Sequence, residues 1–155
     1  VNTAQLVSPL AGQVKPLSQA TDPVFSSGVM GQGVVIEPSQ GELVSPVNGT
    51  VTVLFPTKHA VGIVSEEGVE MLMHIGMDTV SLDGKGFVAH VEQGDKVVVG
   101  QQLISFDMDV IKKAGLVTET PVIITNQDDF QADVEGDLPR DIKRGDALMI
   151  AHRTK

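Results

Sequence analysis

Apolar residues in this chain fall in short runs, broken every few positions by Gly, Pro, Asn or Asp. Residues 31–38, 49–55, 60–65 and 69–74 are of this kind, as are 121–125 and 147–151, and all are rich in Val, Ile, Leu and Met. Short runs of β-branched residues bounded by turn formers predict strands. Residues 97–106 predict one or two more. Only residues 108–114 pattern as a helix, a short one stopped by Gly115. Many short strands at regular spacing predict an all-β fold, an antiparallel β-sandwich with a barrel-like closure and one or two short helices. Residues 21–30, from Thr21 to Met30, keep no period and predict an irregular loop that carries Val24, Phe25, Val29 and Met30.

The stretch Leu6-Val7-Ser8-Pro9-Leu10-Ala11-Gly12-Gln13-Val14 recurs 37 residues later as Leu43-Val44-Ser45-Pro46-Val47-Asn48-Gly49-Thr50-Val51. Each copy predicts strand, turn, strand, with Pro ending the first strand and Gly turning into the second. Two copies predict an internally repeated β architecture. No composition shift divides the 155 residues, so a single domain spans 1–155, with 1–5 as a frayed end or linker stub.

Composition changes this picture in three ways. The chain is 41% hydrophobic but 3% aromatic, with no Trp or Tyr, so the core must be aliphatic. It has no Cys, which excludes disulfides, thiolate metal sites and cysteine nucleophiles. Its formal net charge of −9 argues against nucleic acid and favours partners with a basic face. There is no apolar run long enough to cross a membrane and no basic start with an apolar segment of the signal-peptide kind, which predicts a cytoplasmic location. A chain beginning at Val1 suggests an excised domain or a processed product.

The candidate chemistry lies in two strands. Pro56-Thr57-Lys58-His59-Ala60 precedes one, and Met71-Leu72-Met73-His74-Ile75-Gly76-Met77-Asp78-Thr79-Val80 contains the end of the other. Between them Glu66-Glu67-Gly68 predicts a tight hairpin turn. Folding there sets residues whose numbers add to about 133 opposite one another, which places His59 against His74, with Cβ atoms within ~5 Å. Taken singly, each histidine is as readily an ordinary strand residue. Taken as a pair, they permit three kinds of chemistry. A zinc site needs one or two more ligands, and Asp78 is the nearest candidate. A hydrolase needs a nucleophile such as Ser65 or Thr57 and an oxyanion site, and no supporting motif is present. A phosphoryl carrier needs only one imidazole to attack phosphorus and a second to donate a hydrogen bond to the phosphoryl oxygens.

At this point the sequence resembles a known family. His74-Ile75-Gly76-Met77-Asp78-Thr79-Val80 is similar to the phosphorylation-site signature of glucose-type enzyme IIA domains of the bacterial phosphoenolpyruvate:sugar phosphotransferase system. Thr57-Lys58-His59-Ala60 resembles that family's second-histidine motif, in which Asn is usual at the Lys58 position. Ser8–Gly12, Asp22–Phe25, Val44–Thr50, Gly94–Gly100 and Thr120–Ile123 also match, so the likeness runs over residues 6–151. Leu72 stands where a Phe is common.

The resemblance implies that His74 accepts a phosphoryl group from the histidine-containing phosphocarrier protein and passes it to a cysteine on the IIB domain of a sugar permease. It implies that His59 stabilises the group, that Thr57 bonds near the pair, and that the carbonyl of Gly76 fixes the His74 tautomer. Val24, Phe25, Val29, Met30, Phe55 and Leu72 match an apolar docking collar, and Asp22 and Asp78 would meet a basic residue of the phosphocarrier. No cofactor is required. His59 and His74 form half a zinc site that a carboxylate from a partner could complete. The domain would be free or tethered to a membrane permease. The rival readings are a biotinyl- or lipoyl-like carrier, suggested by the Gly94–Leu103 pattern but lacking a lysine at a hairpin tip, and a metal-binding regulatory module. His90, and His152 at the chain end, match no functional position and are expected to be solvated.

Overall fold

The structure, a computed structural model, describes residues 3–154. Fourteen strands alternate with little else: β1 (Thr3–Val7), β2 (Gly12–Pro16), β3 (Gln32–Pro38), β4 (Glu42–Val44), β5 (Gly49–Leu54), β6 (Ala60–Ser65), β7 (Glu70–His74), β8 (Phe87–Ala89), β9 (Lys96–Val97), β10 (Gln102–Phe106), β11 (Thr120–Ile124), β12 (Phe130–Val134), β13 (Arg140–Ile142) and β14 (Ala147–Arg153). All pairings are antiparallel. The strands form one eight-stranded sheet, ordered β13-β2-β3-β11-β7-β6-β5-β9, and two three-stranded sheets, β1-β14-β12 and β4-β10-β8.

The sequence repeat is a structural duplication. In the first copy Ser8 Oγ donates to the carbonyl of Leu10 at 2.6 Å, and in the second Ser45 Oγ does the same to Val47 at 2.6 Å. The serine hydroxyl thereby meets the backbone of a turn that Pro has left outside any ladder. The two small sheets correspond strand for strand. The halves of the large sheet, β13-β2-β3-β11 and β9-β5-β6-β7, mirror one another and meet where Val122 pairs Met73. The histidines belong to one half only, so the duplication builds the scaffold and not the site.

Packing follows from alternation. Leu6, Val34, Ile36, Val61, Ile63, Met71, Met73, Val122, Leu103 and Met149 are fully or almost fully buried in the main aliphatic core, where the inner face of the large sheet meets the two small ones. The outer face would expose Val35, Leu72 and Ile123. Instead, residues 17–30 fold over it, and Leu17, Ala20, Phe25 and Met77 close a second, smaller cluster on those side chains. That cover explains why β11 is buried at every position, as a strand covered on both faces must be.

Several expectations need correction. Residues 21–30 are not wholly irregular: α1 (Pro23–Ser26) is one helical turn, with Pro at its start and Asp22 Oδ1 accepting from the amide of Val24 at 2.9 Å. The helix in residues 108–114 is α2 (Met108–Lys113), with Asp107 as its cap, and it is therefore not the only one. The expected frayed end at 1–5 is strand β1 from Thr3 onward, paired to β14, because Ala4 and Leu6 reach the core; residues 1 and 2 lie outside the described ones. His152 sits in β14, and its Nε2 lies 2.8 Å from a carboxylate oxygen of Asp133, so it is not at a loose end. His90 is exposed but bonds Ser105 Oγ at 2.7 Å. Strands β8, β12 and β13 were not anticipated: β8 and β13 have three residues each, and β12 and β13 are interrupted by charged residues.

Candidate functional site

The two histidines stand at the ends of neighbouring hairpins. In the β6–β7 hairpin, Gly68 turns the chain with φ of 99° and Ser65 N donates to Val69 O at 2.9 Å. The register is one residue from that expected: Ala60, not His59, lies opposite His74. Strict pleating would then send His59 to the opposite face. It does not, because His59 lies outside the strand. Pro56-Thr57-Lys58-His59 forms the β5–β6 turn, closed by Phe55 N donating to Ala60 O at 3.1 Å and Lys58 N to Phe55 O at 2.8 Å, with Lys58 at φ of 62°. The left-handed residue re-aims the chain, and His59 turns back over His74. The two ring centroids are 4.8 Å apart and the rings nearly perpendicular, at 77°. The left-handed region costs a Lys ~1 kcal/mol that Gly escapes and Asn or Asp bears more easily; Asp78, with φ of 59°, spends the same conformation just after His74.

Each ring is held by its Nδ1. The Nδ1 of His74 is 2.7 Å from the carbonyl oxygen of Gly76. A carbonyl only accepts, so Nδ1 carries the proton and Nε2 keeps its lone pair. The Nδ1 of His59 meets the hydroxyl of Thr57. With that hydroxyl donating, the His59 proton sits on Nε2 as a free donor. In that arrangement one ring can act as a nucleophile and the other as a hydrogen-bond donor.

Burial keeps both rings neutral. Burial first, and then the neighbouring His74, lower the pKa of His59 to about 4. Burial also lowers that of His74 below its usual 6.5, against the opposing pull of the Gly76 carbonyl and the carboxylates of Asp22 and Asp78. His59 is 3% exposed, whereas His74 remains partly open to solvent. The His74 ring is therefore expected to stay neutral, with a lone pair to give, above about pH 6.5 and to lose it by protonation only at lower pH. Stability follows the same sign. The His59 ring binds a proton more readily in the unfolded chain, so falling pH between 6.5 and about 4 destabilises the fold, by on the order of 3 kcal/mol at full extent. Urea unfolding across that window checks this: the fall should be smaller in His59→Gln, and an equal fall would remove His59 as its source.

The walls are apolar. The Phe25 ring packs at 5.2 Å from that of His74, and Phe55 meets His59 edge-on at 5.3 Å. The expected collar divides in two. Phe25, 5% exposed, is a buried wall of the site, and Leu72 and Phe55 are half-buried. Val24, Val29 and Met30 are exposed at 48%, 73% and 39%. Val80 and Val117 are exposed too, and neither was anticipated. Asp78 is exposed and Asp22 half-exposed, both near enough to act on His74.

Two supports for the site went unread in the sequence. Thr79 Oγ1 donates to Ile75 O at 2.5 Å, bracing the Gly76 loop from within the His-Ile-Gly-Met-Asp-Thr motif. Val117 O accepts from Met77 N at 3.3 Å, a backbone link that no side-chain pattern could signal.

Two adjoining imidazoles in an apolar wall, on a duplicated antiparallel β fold, have the chemistry that a phosphoryl carrier needs. Comparison with known proteins gives the family. Residues 4–130 match the family described as phosphoenolpyruvate-dependent sugar phosphotransferase system, EIIA 1, and the chain belongs to it, as a glucose-type EIIA domain. It is 57% identical over 123 residues to the PTS system beta-glucoside-specific EIIBCA component of Bacillus subtilis (strain 168), covering 79% of this chain. The chain spans about a fifth of that relative's length, 20%. It is also similar to the glucose permease IIA from Mycoplasma capricolum, with a TM-score of 0.86 and 36% identity over 97% of this chain and 96% of that one. It is a component of the sugar phosphotransferase system, and none of its described helices is long and apolar enough to cross a membrane.

Proposed function

We propose that His74 Nε2 takes the phosphoryl group from the phosphohistidine of the histidine-containing phosphocarrier protein and hands it to a cysteine on the IIB domain of a sugar permease. One P–N bond breaks at the donor as another forms at His74, and a P–S bond then replaces it. The observation that carries this reading is the pair of adjoining rings, each engaged at Nδ1: the Gly76 carbonyl, which can only accept, leaves His74 Nε2 its lone pair, and a donating Thr57 hydroxyl leaves the His59 proton on Nε2. During attack the His74 ring becomes positive while the transferred group carries negative oxygens. The Gly76 carbonyl and the carboxylates of Asp22 and Asp78 stabilise the first, and the His59 N–H the second. The IIB domain fused in the similar beta-glucoside protein supports the onward partner and a tether to a permease. Incubation with phosphoenolpyruvate, enzyme I and the phosphocarrier should add one acid-labile phosphate at His74, read by mass spectrometry; an unmodified chain would refute the proposal.

The exposed rim would meet these partners. Val29→Asp should leave the fold intact, since the side chain is in water, and weaken transfer roughly tenfold, because docking would strand a carboxylate in an apolar interface. Unchanged transfer would place docking elsewhere. Phe25→Asp is a poor test of docking, since it would charge a buried wall.

Metal binding is subordinate in this reading. Among the described residues no group of three His, Cys, Asp or Glu side chains is arranged to hold a metal, so His59 and His74 supply only half a zinc site. Zinc should bind the isolated chain at micromolar affinity or weaker by calorimetry, and phosphorylation should abolish it, because a phosphorylated nitrogen has no lone pair to give. Nanomolar binding by the chain alone would make a metal site its primary design.

A further inference from the structure

We propose that Glu119 is a positioning residue for phosphoryl transfer, holding the segment that walls and charges the His74 site. Its side chain is 7% exposed, lies just ahead of β11, and belongs to no motif of the chain. Its Oε1 accepts from the amide of Thr21 at 2.6 Å, across 98 positions of sequence. Thr21 adjoins Asp22, whose carboxylate both caps α1 and bears on His74. Three residues beyond the cap stands Phe25, against the His74 ring.

A carboxylate is rarely buried without a task, and a charged acceptor on a backbone amide is about twice as strong as a neutral one. This bond fixes the residue from which the covering segment springs. The segment is held further by the small apolar cluster around Phe25, Val35 and Ile123, which resists lifting, and by Gln127 Nε2 donating to Gly28 O at 3.5 Å. Thr118, next in the chain, bonds Glu37 at 2.8 Å, and Val117 O holds Met77 N at 3.3 Å. Residues 117–119 thus grip both loops that shape the site, the one that presents Gly76 and the one that presents Asp22 and Phe25. Glu119 acts through these groups and touches no reacting atom.

The inference rests on the reading of His74 as the acceptor, and phosphoramidate, a small phosphoryl donor that needs no docking, tests that reading separately. For Glu119→Ala the KM for phosphorylated phosphocarrier should rise roughly tenfold, the worth of one charge-assisted hydrogen bond. The kcat and the phosphoramidate rate should fall by a smaller factor, since Asp22 and Phe25 also bear on His74 itself, and amide exchange at Thr21 should quicken. Glu119→Gln, which keeps an acceptor oxygen, should recover most of the KM. Unfolding in urea checks that both variants fold. A Thr21 amide that exchanges faster in Glu119→Ala while KM stays put would overturn the proposal, as would a Gln variant as impaired as the Ala one. Failure of phosphoramidate to modify the wild-type chain would instead refute the reading of His74.

Discussion

Replacement of His74 by Gln is expected to abolish phosphorylation altogether, while His59→Gln still accepts the group and passes it on poorly. Gln at 74 can keep an N–H toward the Gly76 carbonyl and fill much the same space, so the fold should survive, but it has no nucleophilic nitrogen. At 59 the loss is of a donor aimed at the phosphoryl oxygens. Removing one such preorganised donor costs a transfer step ~10²–10³-fold. The cost should fall more on the onward step. The first acceptor reaction draws on a reactive phosphohistidine, whereas departure to a thiolate brings a second negative charge to the group. Rapid-quench measurement of the two half-reactions separates these cases. A first step blocked in His59→Gln and intact in His74→Gln would reverse the two roles.

Much of this is legible in the sequence, for reasons that differ from element to element. The hairpin between β6 and β7 was legible because its turn chemistry and its apolar run are both local: Gly68 at a left-handed turn leaves few alternatives. The duplicated halves were legible because the repeat is spelled in residues, Ser-Pro-x-x-Gly in each copy. The register was off by one. A two-residue period cannot reveal that the strand starts at Ala60, nor that Lys58 takes a left-handed turn and brings His59 back over His74. The adjacency was therefore correctly anticipated from a pairing that does not exist in the ladder. The division of the collar was illegible for another reason. Val24, Phe25, Val29 and Met30 look alike as apolar residues in a polar loop, and only the path of residues 17–30 over the outer sheet face decides that Phe25 is covered and Val29 is not. Glu119 gave no signal at all, since its partner is a backbone amide far away in the chain.

Gly76→Ala is expected to lower phosphoryl acceptance by His74 by ~10²-fold while the chain stays folded, the loss being one of placement. Gly76 has φ of 72°, which an L-residue adopts only with strain. Space is as short as backbone freedom. A Cβ there would lie 2.6 Å from Thr79 Cγ2 and 2.8 Å from the carbonyl oxygen of Val117. The threonine cannot simply swing aside, because it is buried and its hydroxyl is bonded to Ile75 O. The loop itself must shift, and with it the carbonyl that fixes the His74 tautomer at 2.7 Å. A ring without that acceptor divides its proton between the two nitrogens, and the fraction with the proton on Nε2 cannot attack. Nitrogen NMR of the imidazole reads the tautomer directly. It should show Nδ1 protonated in the wild type and a mixture in Gly76→Ala, in proportion to part of the lost rate. Acceptance reduced with the tautomer unmixed would assign the defect to the displaced loop alone, and acceptance unchanged would show that the Gly76 carbonyl does not govern the nucleophile.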